Sequence, residues 1–169
     1  MIANHDAPSA PVRIDGELRA FVESGVSVVV GTRDEALVPE IVRAWGPHVS
    51  KDRRSISVCV PETTSARTRA NLLANRQVAV AMSLPTDYTT MQFKGVYVGM
   101  TAASAGDLLA VERHREAFVR ANQSIGLHRS RIEALWQREH VGAALFVTIH
   151  FVVQQIFNQT PGVAAGSAR

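Results

Sequence analysis

Hydroxyls and cations crowd into one stretch of this chain, residues 60–72, which read Val-Pro-Glu-Thr-Thr-Ser-Ala-Arg-Thr-Arg-Ala-Asn-Leu. An apolar extended pattern stops at Pro61, and a helical one opens near Thr64 or Ser65. The stretch is therefore a strand end running into a helix N-terminus, where the first backbone N–H groups have no partner inside the helix. Glu62, Ser65, Arg67, Thr68 and Arg69 meet those free donors in one place. A phosphate dianion suits such a place, because the helix start carries partial positive charge and arginine adds a planar fork of donors. The alternative is that Thr64 or Ser65 merely caps the helix while Arg67 and Arg69 solvate its outer side.

Other chemistry leaves little trace. No glycine-rich dinucleotide fingerprint follows the first strand, and there is no Walker sequence, nucleophile elbow or zinc-ligand spacing. His48, His114, His128, His140 and His150 fall on no common face with acids, so no metal is expected. His150 lies mid-strand and reads as a hydrogen-bonded structural residue. The single cysteine, Cys59, sits in an apolar strand and reads as a small core residue. Gln92 and Lys94 share a strand face with Val96, Val98 and Met100, which sets polar side chains at one end of an apolar wall. A solvated strand end would look the same.

Several elements must position these residues. Residues 17–23 carry Leu18, Phe21 and Val22 at helical spacing and stop at Ser24-Gly25. Residues 26–32 and 37–45 read as a hairpin, and residues 55–60 alternate as a third strand that Pro61 ends. A helix from Thr64 or Ser65 to about Leu73, closed near Asn75, precedes strands at 77–83 and 91–102. Ser104 and Asp107 form a capping box for a long helix marked by Leu108, Val111 and Phe118, and a second helix spans 131–138. The last strand alternates Leu145, Val147, Ile149, Phe151 and Val153 with Phe146, Thr148, His150, Val152 and Gln154. Both its faces are partly apolar, which calls for a second contact such as a partner subunit. Six strands, mostly neighbours in sequence, predict an antiparallel barrel with flanking helices, an α+β fold.

The chain has 169 residues, of which 46% are hydrophobic and 20% charged, enough for one domain with its own core. That domain is expected over 14–157, between a flexible arm at 1–13 and a flexible tail at 158–169. The net charge of +3 is scattered rather than gathered into a patch, which argues against nucleic acid. No apolar run approaches bilayer length and the N-terminus lacks the order of a secretion signal, so no membrane partner and a cytoplasmic location are expected.

The order of these segments, with S-A-R-T-R-A-N-L-L-A-N-R-Q-V-A-V followed by M-Q-F-K-G-V-Y-V, resembles the flavin-binding split barrels related to pyridoxamine 5'-phosphate oxidase. The resemblance covers roughly residues 18–154. It implies a six-stranded split barrel that holds flavin mononucleotide (FMN) between two subunits of a homodimer. In that family a Ser-Arg-Lys stretch opens the helix and holds the flavin phosphate; here Arg67 matches the arginine, Thr68 replaces the lysine, and Arg69 could restore the charge. Pro61, Glu62 and Ser65 lie in the same phosphate-binding stretch, by the same resemblance Arg43, Ala44 and Trp45 run beside the ring, and the shared face of Gln92 and Lys94 suits its polar edges. Trp45 could equally be a core aromatic. The implied function is a flavin oxidoreductase drawing electrons from a donor such as NAD(P)H, with the flavin carrying the chemistry and no acid-base residue required. The chain ends in Ala-Gly-Ser-Ala-Arg rather than in the tryptophan- and arginine-bearing segment of the oxidase prototype, so pyridoxamine phosphate oxidation itself is not expected. The alternative is a binding or sensing module on the same barrel, with FMN, a deazaflavin, haem or no cofactor.

Overall fold

The computed structural model describes residues 10–139 and 145–162, the side chains of 135–139 excepted. Six strands, β1 (Ser27–Arg33), β2 (Pro39–Val49), β3 (Ser55–Pro61), β4 (Gln77–Ser83), β5 (Thr90–Ala102) and β6 (Phe146–Asn158), close into a barrel in the order β1-β2-β3-β6-β5-β4. Every pairing is antiparallel. Strands β1 to β3 and β4 to β6 form two meanders, and the β1–β4 and β3–β6 pairings join them, which leaves no free edge. The period-two pattern sends Val28, Val30, Val58, Val80, Phe93, Ile149, Phe151 and Val153 inward, and these form the core. The expected antiparallel split barrel is what the chain forms.

Among the described residues four helices surround it: α1 (Gly16–Val22), α2 (Ala66–Asn75), α3 (Ala105–Ser124) and α4 (Arg129–Glu139). The capping box at the start of α3 is formed as expected, with Ser104 Oγ accepting from Asp107 N and the Asp107 carboxylate accepting from Ser104 N. Asn75 is the last residue of α2, and Arg76 turns left-handed with φ 61° to cap it. The Asn75 amide holds that turn by donating to Arg33 O at 2.7 Å and accepting from Gln77 N at 3.0 Å.

Strand β2 extends past Trp45, where the sequence pattern placed its end. Gly46-Pro47 normally breaks a strand, but here a register shift between Trp45 and His48 absorbs the pair and pairing resumes to Val49. Gly46 has φ +56°, and a Cβ there would come within 2.8 Å of Val111 N, so glycine lets α3 lie close against β2. Under α3 a second apolar cluster gathers Trp45, Cys59, Val111 and Phe146. This cluster accounts for part of the apolar outer face of β6: Phe146 and Thr148 are covered within the chain, while His150 and Val152 stay half-buried.

Of the arm expected at 1–13, residues 1–9 lie outside the described residues, as do 163–169 of the tail. Val12 N donates to Val153 O at 2.9 Å, and Ile14 is fully buried. Among the described residues no helix is long and apolar enough to cross a membrane.

Candidate functional site

Strand β3 ends with Pro61 opposite Phe146, and Glu62 N donates to Leu145 O at 2.8 Å, which anchors the turn leading into α2. Ser65 is the N-cap of α2, yet its side chain makes no capping bond. Ser65 and Thr68 are both 0% exposed, and Ser65 Oγ and Thr68 Oγ1 have no hydrogen-bond partner. A buried hydroxyl without a partner forfeits its hydration for nothing, at about 1 to 3 kcal/mol each. Two such hydroxyls at one helix start, next to free helical N–H groups, make a donor-rich place whose capacity the protein itself leaves unused. Farther along the same helix face, Asn71 Nδ2 donates to Thr32 Oγ1 at 3.1 Å and ties α2 to β1.

The two arginines part ways, because positions two apart on a helix point to nearly opposite sides. Arg67 is 66% exposed, and its Nη1 lies 3.4 Å from Glu40 Oε2 on β2. Arg69 folds back: its Nη2 donates to Glu62 O at 3.2 Å, its Nη1 lies 3.9 Å from Glu62 Oε1, and its buried Nε has no partner. Glu62 and Arg69 also line a cavity of about 360 Å³. Its remaining walls are residues 100–103 at the end of β5, Leu108 on α3 and residues 145–147 at the start of β6. That volume falls in the range of about 300 to 1,000 Å³ typical of small-molecule sites. The apolar lining carries no chemical signal in the sequence. Only the adjacency of the β5 end to the β6 start could have revealed it.

The other expected site residues lie elsewhere. Ala44 is buried inside the barrel, and Pro61 is buried at the strand end. Trp45 is 4% exposed, makes edge contacts with His114 and Phe118 at 5.7 and 5.9 Å, and has the Arg43 guanidinium 5.9 Å from its ring centre. Gln92 accepts from Gln159 Nε2 at 3.2 Å, and Lys94 Nζ lies 5.0 Å from the Phe157 ring centre. Lys94 and Ala102 stand on one continuous strand, on the order of 25 Å apart, so Gln92 and Lys94 are remote from the cavity of their own chain.

Three further polar groups are accounted for by structure. His114 is 5% exposed; its Nε2 lies 2.8 Å from Val26 O, and its Nδ1 accepts from Gly46 N at 3.3 Å, a pairing that requires the neutral Nε2–H tautomer. Burial lowers its pKa to about 4 despite the Val26 contact. Burial raises the Cys59 thiol to about 11, opposed by its contact with Thr148. His48, Ser57 and His150 stand side by side across β2, β3 and β6, and His150 Nδ1 pairs with Ser57 Oγ at 2.7 Å. Among the described residues no group of three or more His, Cys, Asp or Glu side chains could hold a metal ion.

No protein-family model and no curated protein matches this sequence. Solved structures do match its fold. HupZ of Group A Streptococcus is 20% identical, with a TM-score of 0.52 over 90% of this chain and 99% of the other. An F420 reductase is 13% identical, with a TM-score of 0.57 over 85% of this chain and 98% of the other. A candidate pyridoxamine 5'-phosphate oxidase from Lactobacillus delbrueckii is 10% identical, with a TM-score of 0.50 over 90% and 97%. The fold of this chain is the split barrel that these structures share.

Proposed function

We propose that this chain, a split barrel of the pyridoxamine 5'-phosphate oxidase type, binds FMN with the flavin phosphate at the start of α2 and serves as a flavin-dependent oxidoreductase. The observation that carries the proposal is the pair of buried hydroxyls, Ser65 Oγ and Thr68 Oγ1, which have no partner in the protein and flank the free N–H groups of a helix N-terminus. A phosphate dianion supplies the acceptors that both hydroxyls lack once the turn before α2 opens to admit it, since both residues are fully buried in the ligand-free chain. Arg67, exposed and paired with Glu40, reaches the same dianion by leaving that surface pair, whose loss costs about 1 kcal/mol or less. Pro61 and Glu62 border the phosphate, and β2 at Arg43 runs beside the ring, with Ala44 and Trp45 buried behind it. By the same family resemblance, Gln92 and Lys94 on β5 contact the ring from a second copy in a homodimer. Bound flavin supplies hydride and electron transfer, with NAD(P)H as the class of donor. The protein's own part is to orient the ring, neutralise the phosphate and exclude bulk water.

Titration with FMN and riboflavin tests this, since only the former carries phosphate. FMN should bind far more tightly, and Arg67→Ala should weaken FMN by about tenfold or more while sparing riboflavin. Equal loss for both ligands would assign Arg67 to the fold instead.

A further inference from the structure

The cavity beside α2 has walls unlike those of the phosphate site. Met100, Ala103, Leu108 and Phe146 give it an apolar interior, and among the described residues Arg69 is its one cation. That cation is poorly used. The buried Nε donates to nothing, and the nearest carboxylate oxygen, Glu62 Oε1, is 3.9 Å from Nη1, beyond hydrogen-bond reach. Glu62 is 44% exposed, so its carboxylate can return to water at little cost. A volume of about 360 Å³, at the low end of small-molecule sites, admits a compact body of up to three rings.

We propose that this cavity is a second ligand site, taking a compact apolar molecule with a single anionic group that displaces Glu62 and pairs with Arg69. The apolar body leaves water for the walls, and the anion pairs with Arg69 Nη1, which the Glu62 carboxylate leaves beyond hydrogen-bond reach. Arg67 and Arg69 then divide the work of the α2 start, one toward the flavin phosphate and the other toward the cavity. The assignment does not rest on flavin binding.

Two fluorescent probes of the same shape test it: anilinonaphthalene sulfonate, which is anionic, and N-phenylnaphthylamine, which has the same rings without the sulfonate. The anionic probe should bind at one saturable site per chain and more tightly than the neutral one. Arg69→Gln should weaken the anionic probe by about ten- to a hundredfold and leave the neutral probe within about twofold. Glu62→Gln, which removes the internal competitor, should tighten the anionic probe. Ala102→Trp, which fills the cavity from its exposed rim, should abolish both signals in a protein whose circular dichroism is unchanged. Equal effects of Arg69→Gln on the two probes, or no saturable site in the wild type, would overturn the proposal. FMN affinity should survive Ala102→Trp within about threefold; a parallel loss would make cavity and flavin site one and would also overturn it. If the probes behave as stated and the wild type takes up no FMN, the flavin reading fails and the second site stands.

Discussion

Thr68→Val should stabilise the protein and weaken its hold on FMN, two effects of opposite sign from one atom. Valine keeps the branched shape of threonine and nearly the same helix propensity, so the change removes a hydroxyl and little else. Thr68 is fully buried and its Oγ1 has no partner, so in the ligand-free protein that hydroxyl is an uncompensated desolvation. Removing it should return about 1 to 2 kcal/mol. For a chain of this length that raises the melting temperature by about 2 to 8 °C. With FMN present the same hydroxyl donates to a charged oxygen, and its loss should cost about 1.5 to 3 kcal/mol, or about ten- to a hundredfold in affinity. Calorimetric melting of both proteins without ligand, followed by FMN titration, measures the two halves separately. A variant that melts lower than wild type would refute the reasoning, because the hydroxyl would then have a partner in solution. A variant that melts higher but binds FMN unchanged would place the phosphate elsewhere.

Other outcomes follow from the packing. His114 is neutral when folded, with its pKa lowered by burial to about 4 against an ordinary 6.5, so below pH 6.5 the unfolded chain takes up a proton that the folded one refuses. Stability therefore falls as pH drops from 6.5 toward 4, and His114 alone should cost about 2 kcal/mol between pH 7 and pH 5, readable in urea unfolding. Cys59, fully buried with its thiol raised to about 11, should react with a disulfide reagent only in step with unfolding; rapid labelling of the native protein would contradict its core placement. Gly95→Ala should destabilise by about 3 kcal/mol or more, because a Cβ there collides with the Val152 carbonyl at the register shift after Lys94. A melting curve within a degree or two of wild type would mean that β6 gives way more easily than its pairing implies.

Most of the barrel was legible because its information is local. Strand β4 runs from Gln77 to Ser83 as the pattern placed it, and the Ser104–Asp107 box starts α3, since alternation and capping depend only on neighbours a few residues apart. What stayed hidden depends on contacts distant in sequence. Gly46-Pro47 reads as a break until α3 is seen lying against Gly46, and the apolar outer face of β6 reads as wholly a partner surface until Phe146 is found beneath the same helix, which covers part of it. In the candidate site the donors around Ser65 and Thr68 were legible as types and spacing. The division between Arg67 and Arg69 was not, because it depends on Glu40 from β2 and Glu62 from the β3 end. The cavity walls were invisible for a plainer reason: Met100, Leu108 and Phe146 are ordinary apolar residues until three elements bring them together.

Flavin binding is tested most directly by the visible spectrum of the freshly purified protein, with any released ligand identified by mass. FMN bound at the start of α2 predicts the absorption bands of oxidised flavin, release of FMN on denaturation, and recovery of the bands when FMN, but not riboflavin at the same concentration, is added to stripped protein. A colourless protein that recovers no bands with FMN in excess would contradict it.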